Sequence, residues 1–317
     1  MVQSSAQSTT AAVLRIGTRG SPLALAQARM VRARLAAVRG VDEERIALNI
    51  IRTTGDVIQD RTLAQAGGKG LFTKEIEEAL LADAIDLAVH SAKDMPTALP
   101  DGLMIAAVLP REDARDVFIS RVAKTLQELR PGAVVGTASL RRQAIVKRLR
   151  PDLNVVPIRG NVDTRLRKLD EGVVDATLLA LAGLKRLGLT HALTSIFEID
   201  EFLPAVGQGI VAIEARQNDS ATRTLLDAIN HAETATALIA ERAFLAVLDG
   251  SCRTPIAGHA VIAAGRLRFR GLIAKPDGSE SFACAREGLT SEAAALGADA
   301  GAELRAIAGP NFFAALV

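Results

Sequence analysis

The chain has 317 residues, 49% hydrophobic and 23% charged, which suits a folded protein of two or three domains at roughly 150 residues each. Lys and Arg total 38 against 36 Asp and Glu, and the net charge of +2 excludes general attraction to nucleic acid; without Trp or Tyr there is no stacking platform for bases. Only two cysteines occur, Cys252 and Cys284, too few for a disulfide framework, and no run of about 18 apolar residues offers a membrane span.

Residues 1–12 are mostly polar at their start, with no basic opening and no apolar stretch, so a flexible tail is expected rather than a signal peptide, and the cytoplasm is the expected compartment. Strands and helices then alternate. Residues 13–17 read as a strand, and Pro22 opens a helix to about residue 38. A strand over 46–52, a helix over 73–81 and a strand over 85–89 follow. After Pro110 the alternation restarts with strands at 133–136, 155–158 and 176–179, and with helices opening at Ser139 and Asn161 and after the last strand. Such alternation predicts parallel sheets with crossover helices, in two units that break near Pro110 to Arg115.

Residues 210–215 form a lone strand that is expected to rejoin the first sheet. A helix over about 233–248 precedes short runs at 256–263, 266–274 and 281–285, separated by Gly and Pro-Asp-Gly turns. These predict an antiparallel meander closed by a helix from Ser291. The expected fold is two α/β domains around a cleft, covering 13–110 with 209–230 and 111–208, and then a small α+β domain over 231–317. No internal sequence repeat stands out.

The arginines carry the first chemical signal. Ser139 precedes Leu140, Arg141 and Arg142 at a strand-to-helix turn, where the helix dipole disfavours each cation by roughly 0.3–1 kcal/mol. A bound anion would reverse that cost, since backbone N–H groups and guanidinium forks would both point at it. The same construction recurs from Arg159 to Arg165, while Arg19 and Ser21 follow the first strand and Arg186 a later one. Open parallel sheets bind ligands beyond the carboxyl ends of their strands, and several forks there suit a substrate with several carboxylates. For any one of them a solvated arginine is the plain alternative; recurrence at strand ends argues for the anion site.

An apolar strand also runs directly into His90, Ser91, Ala92, Lys93 and Asp94. A carboxylate there, beside a sheltered cation, can stabilise positive charge and relay protons; the alternative is a surface ion pair. The scattered histidines offer no metal-ligand spacing. Gly67-Gly68-Lys69-Gly70 lacks the spacing of a phosphate loop and reads as a mobile loop with a lysine. Gly207-Gln208-Gly209 leads into a strand instead of a helix, so it is no dinucleotide fingerprint. Cys252 lies in a loop beside Arg253, which could favour a thiolate, whereas Cys284 sits within a strand as a small hydrophobe.

Taken together, these stretches resemble the hydroxymethylbilane synthase, or porphobilinogen deaminase, family from Leu14 onward. The resemblance rests on residues 18–25, 67–72, 89–94, 139–142, 159–161, 203–209 and 241–255, in the family's order and spacing. It implies a transferase that condenses four porphobilinogen molecules head-to-tail, losing ammonia each time, to give linear hydroxymethylbilane for tetrapyrrole synthesis. It implies a dipyrromethane cofactor fixed as a thioether to Cys252, and Asp94 holding the pyrrole N–H and stabilising the cation left by deamination. Lys93, Ser139, Arg141 and Arg142 would grip the primer's carboxylates. Arg19, Ser21, Lys69, Arg159, Arg165, Arg186 and Gln208 would hold substrate and growing oligopyrrole. Ala138 stands where some relatives have a hydroxyl. The working form is expected to be a monomer with porphobilinogen as its partner, without metal, nucleic acid or membrane. A two-lobed binding protein for a polycarboxylate is the alternative.

Overall fold

The computed structural model describes residues 14–57, 70–248 and 254–314. The chain opens with β1 (Leu14–Thr18), α1 (Pro22–Arg39), β2 (Ile46–Ile50), the single turn α2 (Thr54–Val57), α3 (Lys74–Leu81), β3 (Leu87–Ser91) and β4 (Leu103–Val108). It continues through β5 (Asp116–Ser120), β6 (Val134–Gly136), α4 (Leu140–Leu149), β7 (Asn154–Val156), α5 (Val162–Asp170), β8 (Ala176–Ala180), α6 (Leu181–Leu187) and β9 (Ser195–Ile196). Then come β10 (Val211–Arg216), α7 (Ser220–Asp227), α8 (Ala232–Val247), β11 (Ile256–Ala263), β12 (Arg266–Ala274), β13 (Ser281–Leu289) and α9 (Ala293–Ala314).

Two five-stranded sheets share one plan, with orders β2-β1-β3-β10-β4 and β7-β6-β8-β5-β9. In each, the first three strands are parallel, and the fourth runs antiparallel to its neighbour. The expected parallel pairing thus holds for three strands of each sheet, and the remaining two strands add antiparallel pairings. The topology repeats although the sequence does not, because β5 and β10 are each delivered by a crossing between lobes and so enter in the reverse direction. The return of residues 211–216 to the first sheet agrees with the reading of the sequence; β4, β5 and β9 went unread there.

Local chemistry explains the elements that aim the site. Pro22 begins α1, Ser21 Oγ accepts from Ala24 N at 3.3 Å, and Gly40 closes the helix in the left-handed region at φ 61°. Its buried stripe, including Ala28, Val31 and Leu35, packs with Leu14, Ile16, Leu87 and Val89. Full burial of a Leu or Val side chain contributes about 1.5–3 kcal/mol, so this face anchors the helix. Ser139 and Asn161 cap α4 and α5 in the same way, through Arg142 N and Thr164 N.

The three-stranded meander β11-β12-β13 packs against α8 and α9 around Phe244 and Phe269, whose rings lie 4.9 Å apart. The last helix bends at Gly309, where φ is 69°, and Pro310 follows. Fully buried Glu241 of α8 clasps the crossings: it accepts from Gly207 N at 2.6 Å, Ala260 N at 2.8 Å and Arg111 Nη1 at 2.5 Å, while Arg111 Nε donates to Gln208 O. Asp277 and Gly278 form the β12–β13 turn, and a Cβ at Gly278 would meet Arg148 N at 2.4 Å, so the third unit docks its hairpin on α4.

Candidate active site

The carboxyl ends of the parallel strands in both sheets converge on one cleft of about 690 Å³. The first lobe contributes Arg19, Ser21, Arg52, Asp56, Phe72, Lys93 and Asp94 to its walls, and the second contributes Ala138, Arg142, Arg159, Asn161 and Arg165. Parallel strands end with their dipoles and following loops on one side, so residues distant in sequence meet there.

On the first wall, the Arg19 guanidinium pairs with the Asp56 carboxylate and lies 4.1 Å from the centre of the Phe72 ring. Burial pushes the Asp56 carboxyl up, but hydrogen bonds from Arg19 and Thr53 and the Arg19 charge outweigh it and hold the group below its ordinary value. Gly55 makes this arrangement possible, since its N–H donates to Leu71 O at 2.7 Å and a Cβ there would strike the Phe72 ring at 2.3 Å. Asp56 and Phe72 were not among the site residues read from the sequence. The signal for Asp56 lay in the stretch Thr53-Thr54-Gly55-Asp56, which carries no regular periodicity, and Phe72 closes the stretch 67–72 that contributed to the resemblance without being given a role.

Lys93 and Asp94 both open onto cleft water in the short turn after β3. The surrounding protein displaces bulk water from around Lys93, and with Arg142 it pulls the ammonium down to about 8 against the raising effect of Asp94 and Asp116. Its Nζ lies 3.5 Å from Gln208 Oε1, a long contact. Asp94 makes no hydrogen bond among the described residues, so both carboxylate oxygens remain available to a ligand.

On the second wall, Arg165 donates from Nε to Gly160 O at 2.9 Å, and burial followed by repulsion from Arg142 pulls it down to about 10. Gly160, at φ 116°, turns so tightly that a Cβ would meet Thr164 at 2.6 Å. Arg142 borders the cleft, its Nε donating to Asp116 and its Nη1 to Leu178 O, each at 2.9 Å. Arg141 points away from the lining residues: it pairs with Asp116 and donates to Leu203 O at 2.8 Å. The protein's own Asp116 thus supplies an anion to both arginines, in addition to any that a ligand brings to Arg142. Burial would push the Asp116 carboxyl up, and Arg141, Arg142 and Lys93 together hold it down.

The remaining site expectations divide. Arg19, Ser21, Arg159 and Arg165 line the cleft with Lys93, Asp94 and Arg142. Ser139 stands just behind it as the cap of α4. Gln208 is buried, donating to Ala114 O at 2.7 Å, and Arg186 donates to Gly209 O at 2.6 Å, so both brace the crossing segments and neither is among the lining residues. Lys69 and Cys252 lie outside the described residues. Cys284 is half-buried in β13, where burial pushes its thiol up to about 11.

Two α/β lobes facing an arginine-walled cleft, with Lys93 and Asp94 among its lining residues, form a site suited to a ligand with several carboxylates. Residues 14–224 match the family model described as porphobilinogen deaminase, dipyromethane cofactor binding domain, and residues 235–306 match porphobilinogen deaminase, C-terminal domain. Porphobilinogen deaminases of Nitrobacter winogradskyi and Nitrobacter hamburgensis are each 63% identical over 298 residues, covering 94% of this chain and 94% of theirs. The chain belongs to the porphobilinogen deaminase family. Among solved structures, the methionine-binding protein MetQ is similar at 15% identity and a TM-score of 0.44, over 75% of this chain and 95% of that one.

Proposed function

We propose that Asp94 is the catalytic carboxylate of a hydroxymethylbilane synthase reaction in this cleft, with Lys93 beside it. As a member of its family the chain is a transferase of tetrapyrrole synthesis that joins porphobilinogen units head-to-tail with loss of ammonia. The observation that carries the residue assignment is Asp94 itself, a carboxylate without a hydrogen bond among the described residues, facing the cleft among cations. Its two oxygens can accept a pyrrole N–H. As ammonia departs, its fixed charge stabilises the positive charge left on the ring and its exocyclic carbon.

The described residues fit a dipyrromethane: the cleft volume lies within the usual range of ligand sites, and its guanidinium groups match acetate and propionate side chains. Held by a thioether, dipyrromethane supplies the nucleophilic pyrrole carbon onto which the first unit is joined. Cys252 is the proposed attachment residue. Lys93, Ser139 and Arg142 would hold its carboxylates, with Arg141 supporting Arg142 through Asp116. Arg19, Ser21, Lys69, Arg159 and Arg165 would hold incoming and added units. Arg186 and Gln208 would act by fixing the crossing segments. The domain division at 110, 208 and 230 is proposed with it, as is a monomer working in the cytoplasm; among the described residues no helix is long and apolar enough to cross a membrane.

The test is turnover of porphobilinogen by purified protein, followed as ammonia and hydroxymethylbilane, for wild type and Asp94→Asn. Removing one preorganised electrostatic group costs about 100-fold or more in rate. Single-turnover rates for Asp94→Asn within about threefold of wild type would reject the assignment.

A further inference from the structure

The first-lobe wall of the cleft carries three cations, Arg19, Lys93 and Arg52. Their circumstances differ. Arg19 is already paired with Asp56, and Lys93 has Asp94 next to it in the same turn. Arg52 follows β2, is exposed to the cleft, and has neither a hydrogen bond nor an ion pair among the described residues. Elsewhere in the lobe Arg15 pairs with Asp86 at 2.6 Å, Arg32 with Glu43 at 2.9 Å and Arg216 with Asp219 at 2.9 Å, while Arg29, Arg39 and Arg45 are exposed away from the cleft lining. Among the described residues lining this wall, Arg19 has its counter-charge in Asp56, and Arg52 is a guanidinium without one.

We propose that Arg52 is a carboxylate-binding residue for porphobilinogen and the growing oligopyrrole, gripping an acetate or propionate from the first-lobe wall. This rests on the reading of the cleft as the condensation site. The wall contributed by the second lobe holds Arg142, Arg159 and Arg165. Without a ligand the two walls carry like charge toward each other. A substrate with two carboxylates on each pyrrole reverses the sign, because one group can engage Arg52 while its neighbour engages the far wall. Arginine suits the task, since its planar fork can meet a carboxylate through two hydrogen bonds. The role is one of binding: Arg52 need not touch the reacting carbon.

The experiment compares wild type, Arg52→Gln, Arg52→Lys and Arg34→Gln in steady-state turnover of porphobilinogen. Arg34, exposed on α1 and away from the cleft, controls for loss of one positive charge. Arg52→Gln is expected to raise KM about tenfold with kcat within about twofold, Arg52→Lys to raise it less, and Arg34→Gln to leave both unchanged. The KM of wild type is also expected to rise more steeply with potassium chloride than that of Arg52→Gln. A KM for Arg52→Gln within about twofold of the Arg34→Gln control, or a loss of kcat alone, would overturn the proposal. Failure of wild type itself to release ammonia from porphobilinogen would instead overturn the reading of the cleft on which the proposal rests.

Discussion

The carboxylate of Asp116 lies fully buried with Oδ1 2.7 Å from Nη2 of Arg142, and its other oxygen is 2.8 Å from Nη2 of Arg141. One acid at the start of β5 thereby neutralises two cations in the first turn of α4, where the helix dipole alone would repel them. Arg142 is thereby held with its guanidinium plane fixed at the border of the cleft.

Replacing Asp116 with Asn should therefore strip two buried guanidinium groups of their counter-charge. Breaking a buried pair of this kind costs about 3–5 kcal/mol. Urea or thermal unfolding is the measurement, and a midpoint equal to wild type would contradict the role. The same geometry bears on protein that lacks the primer: Asp116 should hold α4 closed, so protease sensitivity around residues 139–150 should differ little between forms with and without it.

In its proposed binding role, Lys93 predicts a pH limit on substrate capture. Its ammonium titrates near 8, against the usual 10.5, because neighbouring protein displaces water and Arg142 repels it, with Arg141 adding to the repulsion and Asp94 and Asp116 opposing it. The charged form is the one that attracts carboxylates, so its contribution is present below about 8 and lost as pH rises through that value. kcat/KM for porphobilinogen should show an alkaline limb there. In Lys93→Arg the cation persists, and the limb should move upward; an identical limb in both proteins would show that another group titrates.

Gly207 packs against the Lys93–Asp94 turn from behind. Its φ of 71° lies in the left-handed region, and a Cβ would sit 3.0 Å from Ala92 Cβ and 3.1 Å from Lys93 N. Gly207→Ala should push the Lys93–Asp94 turn toward the cleft, lowering kcat by about tenfold or more and stability by about 1–3 kcal/mol. Wild-type kcat in a folded Gly207→Ala protein would show that the turn tolerates the displacement.

Much of this arrangement was legible before any coordinates. Ser21, Ser139 and Asn161 mark helix starts by residue type alone, and the alternation around them yields the two lobes and the terminal meander. Strand direction was not legible, because periodicity within residues 116–120 or 211–216 is the same whichever way a neighbour runs. Asp116 escaped notice for a related reason: its partners lie 25 and 26 residues onward, and only an acid at the head of the apolar run Val117-Phe118-Ile119 hinted at burial. The arginine pair stands out in the sequence as an electrostatic anomaly, but its internal counter-ion Asp116 does not. Arg52 was absorbed into the expected strand and so received no role.

The central claim, a covalent pyrrole primer on Cys252, is tested most directly by intact and peptide mass spectrometry of the purified active protein. Cys284 serves as an internal control, since its half-buried Sγ–H points to Ala300 O at 3.6 Å and its thiol is pushed up to about 11, leaving almost no thiolate at neutral pH. The expected result is a mass excess equal to one dipyrromethane, located on the peptide containing Cys252 and absent from that containing Cys284. Fully active protein with the unmodified polypeptide mass would contradict it.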